Sequence, residues 1–272
     1  MEVKQAWFKV LAILSLLAGL AALPANAQQS DAELAKALAN PVASLISVPF
    51  QFNYDQDIGS GDKGERLVLN VQPVVPMTLN EDWNLISRTI LPLIWQDDVV
   101  TSEGTQFGLG DVVQSAFFSP ARPTESGIIW GAGPVFLLPT ATEDSLGTEK
   151  WGAGPTAVAL RQSGPWTYGA LANHIWSFAG ADSRKDISTT FLQPFINYTT
   201  PNATSFFLNT ETTYDWNAGE ASVPINAGVN QLLDIGGQKL QVGLGLRYWL
   251  DSPDGGPEGF GARFNVIFLF PR

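Results

Sequence analysis

The last strand-like stretch of the chain, Gly259–Phe270, constrains the fold more than any other segment. Every second residue from Phe260 onward is apolar, whereas Gly261, Arg263 and Asn265 open the opposite face. An apolar face opposite a partly polar face is typical of a strand that lies between lipid and a polar lumen. At the edge of a soluble sheet such a strand would promote aggregation. The pattern therefore predicts a closed barrel in which the last strand pairs with the first.

Residues 1–27 have the pattern of a secretory signal peptide. Lys4 and Lys9 supply a basic start, Val10–Leu23 is an apolar run, and Ala25-Asn26-Ala27 fits the A-x-A cleavage pattern. The run is shorter than the roughly 20 residues that a membrane-spanning helix needs. We therefore predict that residues 1–27 are removed and that the mature chain leaves the cytosol.

Composition and spacing argue against several kinds of site. The absence of cysteine excludes disulfides and thiolate metal sites. A single histidine, His174, is too few for a histidine-based metal site, and its spacing from Ser177 places the two side chains on opposite faces of a strand. The net charge of −11 disfavours nucleic acid as a partner, because nucleic-acid binding needs clustered Lys and Arg. We predict no enzyme, no catalytic residues, no cofactor and no metal.

Residues 28–45 are predicted to be a helical segment ahead of the first strand. Ser30 or Asp31 can cap the helix, good helix formers follow, and Asn40-Pro41 ends it. The segment packs either into the mouth or lumen of the barrel, where it would act as a plug, or on the surface. The sequence leaves both placements open.

From residue 46 onward the apolar pattern changes to a period of two, which predicts strands. The expected fold is all-β: a twelve-stranded antiparallel transmembrane β-barrel over residues 46–272, with a short N-terminal helix. The twelve strand candidates are Ile46–Asp55, Glu65–Val75, Trp83–Trp95, Gly108–Ser119, Gly127–Leu138, Trp151–Arg161, Trp166–Phe178, Asp186–Thr199, Thr204–Asp215, Ser222–Leu233, Lys239–Leu250 and Gly259–Phe270.

The connections between these candidates alternate between short turns and longer, acidic loops. Short turns on one rim and long loops on the other are typical of bacterial outer-membrane barrels, and they predict that both termini lie in the periplasm. A soluble two-sheet sandwich is the competing fold, since it would tolerate prolines at its edges. Within a barrel, the in-strand prolines are predicted to be bulges or bends: Pro49, Pro73, Pro92, Pro134, Pro155, Pro194 and Pro224.

Strand parity places a small set of charged residues in the lumen. They could line a path for a polar solute, or they could form a closed, salt-bridged interior that only stabilises the barrel. Both interpretations stay open. The candidates for the solute path are Arg66, Arg88, Glu211, Lys239, Arg247 and Arg263.

The mature chain resembles a family of bacterial outer-membrane proteins that are described as transporters or as proteins of the meta-pathway of phenol degradation. The resemblance implies a transporter-like barrel, and no catalytic residues carry over. Pro271-Arg272 departs from the terminal aromatic residue that is usual in outer-membrane barrels. The matching stretches are Glu33–Pro41, Leu79–Thr89, Gly108–Asp111, Pro134–Ala141, Lys150–Pro155 and Asn173–Ser177.

We therefore predict an outer-membrane barrel that acts as a passive channel or transporter for a small solute. The alternative is a structural or surface-binding barrel with a closed lumen, whose acidic external loops bridge to lipopolysaccharide through divalent cations. The expected partners are outer-membrane lipid and lipopolysaccharide, the barrel assembly machinery and a small solute, with no nucleic acid.

Overall fold

The computed structural model describes residues 30–59, 61–100 and 104–270. The predicted signal peptide, 1–27, lies outside the described residues. Among these described residues, one α-helix, α1 (Asp31–Leu38), precedes the strands. The strands are β1 (Ile46–Ile58), β2 (Gly64–Val71), β3 (Val74–Thr78), β4 (Trp83–Asp97), β5 (Gln106–Leu109), β6 (Val112–Pro120), β7 (Ile128–Leu138), β8 (Lys150–Ser163), β9 (Trp166–Gly180), β10 (Ser188–Thr199), β11 (Thr204–Thr210), β12 (Thr212–Asp215), β13 (Glu220–Ile235), β14 (Gln238–Asp251) and β15 (Phe260–Phe270).

These segments form a closed, antiparallel barrel of twelve strands, as predicted. Three of the twelve strands are interrupted, so that β2 and β3, β5 and β6, and β11 and β12 each form one barrel strand. The ring closes between β1 and β15, which pair in continuous register from Ile46↔Phe270 to Tyr54↔Ala262. Because β15 pairs with β1, the sheet has no unpaired edge strand at this position.

The outer and inner faces of the strands differ as the alternation predicts. Leu244, Leu246 and Phe260 are 63–65% exposed on the outside of the barrel, whereas Arg247, Arg263 and the residues in register with them point inward. Large exposed apolar side chains on every second position are expected where lipid is the solvent. Tryptophans gather near the strand ends, where interfacial girdles lie: Trp83, Trp151, Trp166, Trp176 and Trp216.

The interruptions explain why the observed strands are more numerous than the candidates. Gln72 and Pro73 separate β2 from β3, and the register shifts between Val223 and Pro224. Proline lacks the N–H that a ladder needs, which accounts for both irregularities. Glu211 separates β11 from β12, so this break involves a charged residue and no proline.

The sequence Trp-Gly-Ala-Gly-Pro occurs twice, at Trp130–Pro134 and Trp151–Pro155. The two copies lie side by side, with Pro134 opposite Pro155 in the β7–β8 pairing. A Cβ atom at Gly133 would lie 1.9 Å from the carbonyl oxygen of Ala116, and one at Gly154 would lie 1.7 Å from that of His174. Glycine is therefore required because neighbouring backbones approach closely. The repeats serve strand packing.

Helix α1 ends at Leu38, just before Asn40-Pro41, because the residue that precedes a proline disfavours the helical backbone. A capping box between Ser30 and Glu33 begins it. Leu34 and Ala35 are buried against side chains from the barrel and from the segment that follows the helix: Leu45, Ala203, Leu232 and Leu269. The apolar face of the helix therefore packs at one mouth of the barrel.

The two rims of the barrel differ. The turn rim carries the connections 79–82, 121–127, 164–165, 200–203 and 236–237, and α1 lies against it, with Lys36 Nζ donating to the carbonyl oxygen of Gly164 (2.7 Å). The loop rim carries residues 59, 61–63, 98–100 and 104–105 and the connections 139–149, 181–187, 216–219 and 252–259. Within the described residues, no helix is long and apolar enough to cross a membrane.

Part of the lumen is a packed apolar core. Ile86, Phe117, Val158, Leu160 and Leu171 are buried together, and Val42 from the segment after α1 joins them. The residues between α1 and β1 therefore enter the barrel. Of the charged lumen candidates, Arg88 shares the strand β4 with this core, and the others lie outside the strands that build it.

Candidate functional site

The centre of the polar lumen is Glu211, at the break between β11 and β12. Arg263 on β15 donates two hydrogen bonds to the Glu211 carboxylate, from Nη1 to Oε1 at 3.0 Å and from Nη2 to Oε2 at 2.6 Å. Arg263 is 3% exposed and also donates from Nε to Asn53 Oδ1 (2.7 Å). A bidentate pair fixes both side chains, because the planar guanidinium matches the two carboxylate oxygens.

Arg247 on β14 extends this pair towards the loop rim. Its Nη1 lies 3.6 Å from Glu211 Oε2, and its Nε lies 3.0 Å from Asp55 Oδ1. Trp249 Nε1 donates to the same Asp55 oxygen (2.8 Å), and the guanidinium lies 4.6 Å from the centre of the Trp249 ring. Asp55 therefore accepts a hydrogen bond from Trp249 and forms an ion pair with Arg247, which is held by charge and by the aromatic face.

Arg88 on β4 joins the same region through amides. Its Nη2 donates to Gln72 Oε1 (2.8 Å), and Gln72 Nε2 donates to Gln51 Oε1 (2.6 Å). Gln51 and Asn53 both lie on the lumen side of β1, and Asn53 is the residue that accepts the hydrogen bond from Arg263 Nε. We call Arg88, Glu211, Arg247, Arg263 and Asp55 the charged belt.

Two of the predicted path residues lie outside this belt. Arg66 Nε donates to Gln96 Oε1 (3.0 Å), which leads to Gln106 through a second amide bond (2.9 Å). Lys239 lies at the turn rim, where its Nζ contacts Asp31 of α1 (2.7 Å) and Asp234 (2.9 Å). The structure thus brings together four of the six candidates, and Lys239 instead ties the helix to the barrel.

Two cavities meet at Arg88. The turn-side cavity, about 230 Å³, is bounded by residues 37–41, Ala43 and Leu45 and by the belt residues Glu211 and Arg263. The loop-side cavity, about 690 Å³, opens among residues 183–187 at the loop rim. Of the described residues, Arg88 alone lines both cavities. A solute that crosses the barrel between them would pass this guanidinium.

The entrance to the loop-side cavity is built by two docked loops. Arg184 in the connection 181–187 donates from Nη2 to the carbonyl oxygens of Asp144 (2.9 Å) and Gly147, and its Nε lies 3.4 Å from Glu149. Thr148 is held in turn by Asp111 Oδ2. These contacts fix the mouth of the cavity.

The pair between Lys150 and Asp186 at this entrance predicts a pH dependence. Hydrogen bonds from Lys150 (3.0 Å) and Ser177 (3.2 Å) hold the pKa of the Asp186 carboxyl below its usual value. Since the folded pKa is depressed, the pair stabilises the loop above the ordinary carboxyl pKa, and this contribution is lost as the pH falls through the folded value. We expect NMR titration of the Asp186 carboxyl to give a low midpoint that rises in Lys150→Gln.

Lys185→Gln is the matched control for this titration, because Lys185 lies next to Asp186 in the same connection and no ion pair joins the two. Its midpoint for Asp186 should equal that of the unaltered chain. An unchanged midpoint in Lys150→Gln would contradict the assignment of the shift to this pair.

The outer face carries a contact that the sequence did not reveal. His174 lies on the outer face of β9, since its neighbours Asn173 and Ile175 line the loop-side cavity. Its Nδ1 lies 2.7 Å from the hydroxyl of Thr190 on β10, which also accepts from Trp216 Nε1 (2.8 Å). His174 and Ser177 do not form a pair, but the neighbouring strand supplies a hydroxyl through the register Thr190↔His174. Only strand pairing could reveal this partner.

Several solved structures of outer-membrane barrels are similar to this chain in fold. An outer membrane channel from Pseudomonas putida F1 is 17% identical with a TM-score of 0.64, over 84% of this chain and 96% of the channel. Outer membrane phospholipase A from Escherichia coli is 10% identical with a TM-score of 0.51, over 82% and 90%. The Salmonella typhi phospholipase dimer with bound calcium is 10% identical with a TM-score of 0.50, over 86% and 96%.

No protein-family model matches the sequence, and a comparison with curated proteins gives no match. The likeness to solved structures confirms an outer-membrane barrel fold. The narrower family of phenol-degradation proteins stays a prediction.

The prediction that the chain is not an enzyme is wrong as an exclusion. Outer membrane phospholipase A shares the barrel fold, so the fold itself accommodates a hydrolase. At 10% identity the likeness concerns the fold alone, and it assigns no activity to the chain. His174 and Ser177 lie on the same strand, whereas a site in a barrel can combine side chains from adjacent strands, as the contact between His174 and Thr190 does.

Proposed function

We propose that this protein is a passive channel or transporter of the bacterial outer membrane that carries a small solute through its lumen. The observation that carries the proposal is the pair of cavities that enter the lumen from opposite rims and share Arg88. An outer membrane channel with the same fold, similar over 96% of its own length, adds support. In the orientation that we propose, the turn rim faces the periplasm and the loop rim faces outward, in contact with lipopolysaccharide.

The N-terminal segment 28–45 is the proposed plug. Its described part, from Ser30, packs at the turn rim and lines the turn-side cavity with residues 37–41, Ala43 and Leu45. A twelve-stranded barrel has a narrow lumen that side chains or one segment can largely fill. The plug and the belt together favour small solutes and slow flux.

Planar-bilayer recording of the full chain tests the proposal. We expect discrete current steps that are small compared with those of larger porins, because the belt and the plug narrow the path. Heat-unfolded protein in the same detergent is the control. A folded preparation, recognised by its altered gel mobility before boiling, that gives no current at any voltage would favour the closed structural barrel instead.

A further inference from the structure

Arg88 is a cavity-lining arginine whose charge has no carboxylate in contact. Three arginines line the two cavities, and Arg184 and Arg263 contact Glu149 and Glu211 respectively. Within the described ranges, no carboxylate oxygen lies within 4.0 Å of the Arg88 guanidinium, and its partner is the neutral amide of Gln72. A guanidinium has five N–H donors, so Arg88 retains donors for a ligand.

The other charges in the loop-side cavity balance. The lining carries Arg88, Arg184 and Lys185 against Asp186 and Asp215, an excess of one positive charge. Arg88 forms no ion pair, and Glu211 of the charged belt attracts it from beyond contact distance. Acidic residues elsewhere on the loop rim act through water, where charges are screened within about 8–10 Å at physiological salt. The cavity is therefore locally cationic, although the whole chain has a net charge of −11.

The wall of this cavity changes from polar to apolar along β4 and β6. Arg88 is in register with Ser115, and the next inward pair towards the loop rim is Ile90 with Val113. Further apolar side chains line the same cavity: Leu137, Ile175 and Phe191. At about 690 Å³ it falls in the range of small-molecule sites, roughly 300–1,000 Å³.

From these three observations, the geometry points to a binding site for a small amphiphilic carboxylate in the loop-side cavity. The carboxylate lies on Arg88 and Ser115, and the hydrocarbon part lies against Ile90, Val113 and the other apolar side chains of the wall. The guanidinium fork suits a planar carboxylate, which it binds through two parallel hydrogen bonds. This inference rests on the proposed channel function and names the class of solute.

Calorimetric titration of the full barrel in nanodiscs with hexanoate tests the site. Hexanoate should bind with saturation, whereas acetate, which lacks the apolar part, and hexylammonium, which has the wrong charge, should bind at least tenfold more weakly. Arg88→Gln should lower hexanoate affinity about tenfold or more, since a hydrogen bond to a charged group contributes about 1.5–3 kcal/mol. Equal binding of hexanoate and hexylammonium, or an unchanged affinity in Arg88→Gln, would overturn the assignment.

Two further variants keep the test decisive. Arg122→Gln removes one positive charge from the exposed connection 121–127 and should leave hexanoate affinity unchanged. Leu137→Ala keeps every charge and should weaken hexanoate severalfold without affecting acetate; an equal effect on both probes would contradict the apolar wall. If Arg88→Gln does not fold, judged by gel mobility, Leu137→Ala and the probe series decide.

Recording currents on the same preparations separates this inference from the proposed function. Currents that hexanoate blocks in the unaltered chain but not in Arg88→Gln would support both. Arg88-dependent binding without any current would overturn the channel and keep the site. Currents without any hexanoate binding would overturn the site and keep the channel.

Discussion

Removing residues 28–45 is expected to raise single-channel conductance severalfold. These residues include α1, which is anchored at the turn rim by Lys239 and by the carbonyl of Gly164, and Val42, which packs into the lumen core. The turn-side cavity of about 230 Å³ is bounded by residues 37–41, Ala43 and Leu45, so their removal widens the path on that side of the belt. Planar-bilayer recording of the truncated and full chains measures the effect.

A point variant separates the plug from general damage to the barrel. Asp31→Asn weakens one of the two ion pairs of Lys239 and loosens α1 without shortening the chain. We expect brief openings to a higher conductance level in Asp31→Asn. The exposed Asp182→Asn, in the connection 181–187 at the other rim, should behave like the unaltered chain. A truncated chain with unchanged conductance would remove the plug from the proposal.

Glu211→Gln is expected to have the largest effect on stability among single side-chain changes in the lumen. Glu211 accepts both hydrogen bonds from Arg263, which is 3% exposed, and lies within 3.6 Å of Arg247. Removing its charge leaves the three guanidinium groups of the belt in a confined space with Asp55 as the remaining carboxylate. Loss of one partner from a buried pair typically costs about 3–5 kcal/mol of unfolding free energy.

Guanidinium unfolding in detergent micelles, followed by tryptophan fluorescence, measures this cost. Glu220→Gln is the matched control, because Glu220 is exposed at the loop-rim start of β13, and its loss should change stability by less than about 0.5 kcal/mol. The double variant Glu211→Gln with Arg263→Gln should recover part of the loss, since it no longer leaves Arg263 unpaired. A loss below about 1 kcal/mol in Glu211→Gln would show that the belt is solvated like a surface pair.

The interruption of barrel strands depends on contacts that the sequence does not show. Alternation predicted one continuous strand over Thr204–Asp215, because Phe206 and Leu208 alternate with polar residues. In the structure Glu211 breaks it, and the break allows its carboxylate to reach Arg263 on a strand that lies far away in sequence. A local pattern carries no information on such a partner.

The candidate site was predictable from the sequence only in part. Strand parity placed Arg88, Glu211, Arg247 and Arg263 inside because charge on the lipid face is unfavourable. Parity could not separate Lys239 from them, since a residue at a strand end and one at mid-height share the same face. The height of each side chain, and the helix carboxylate that meets Lys239, follow from the tilt and register of the assembled strands.

The sequence by itself determined the class of fold, because the evidence for it can be seen in each strand alone. This evidence is the period of two, the apolar outer face and a last strand too apolar for the edge of a soluble sheet. Only the tertiary structure decided which inward charges form ion pairs in contact with one another and which, like Arg88, do not. The reason is that ion pairing depends on distances of a few ångströms across the lumen. Those distances exist only once β1 and β15 have closed the ring.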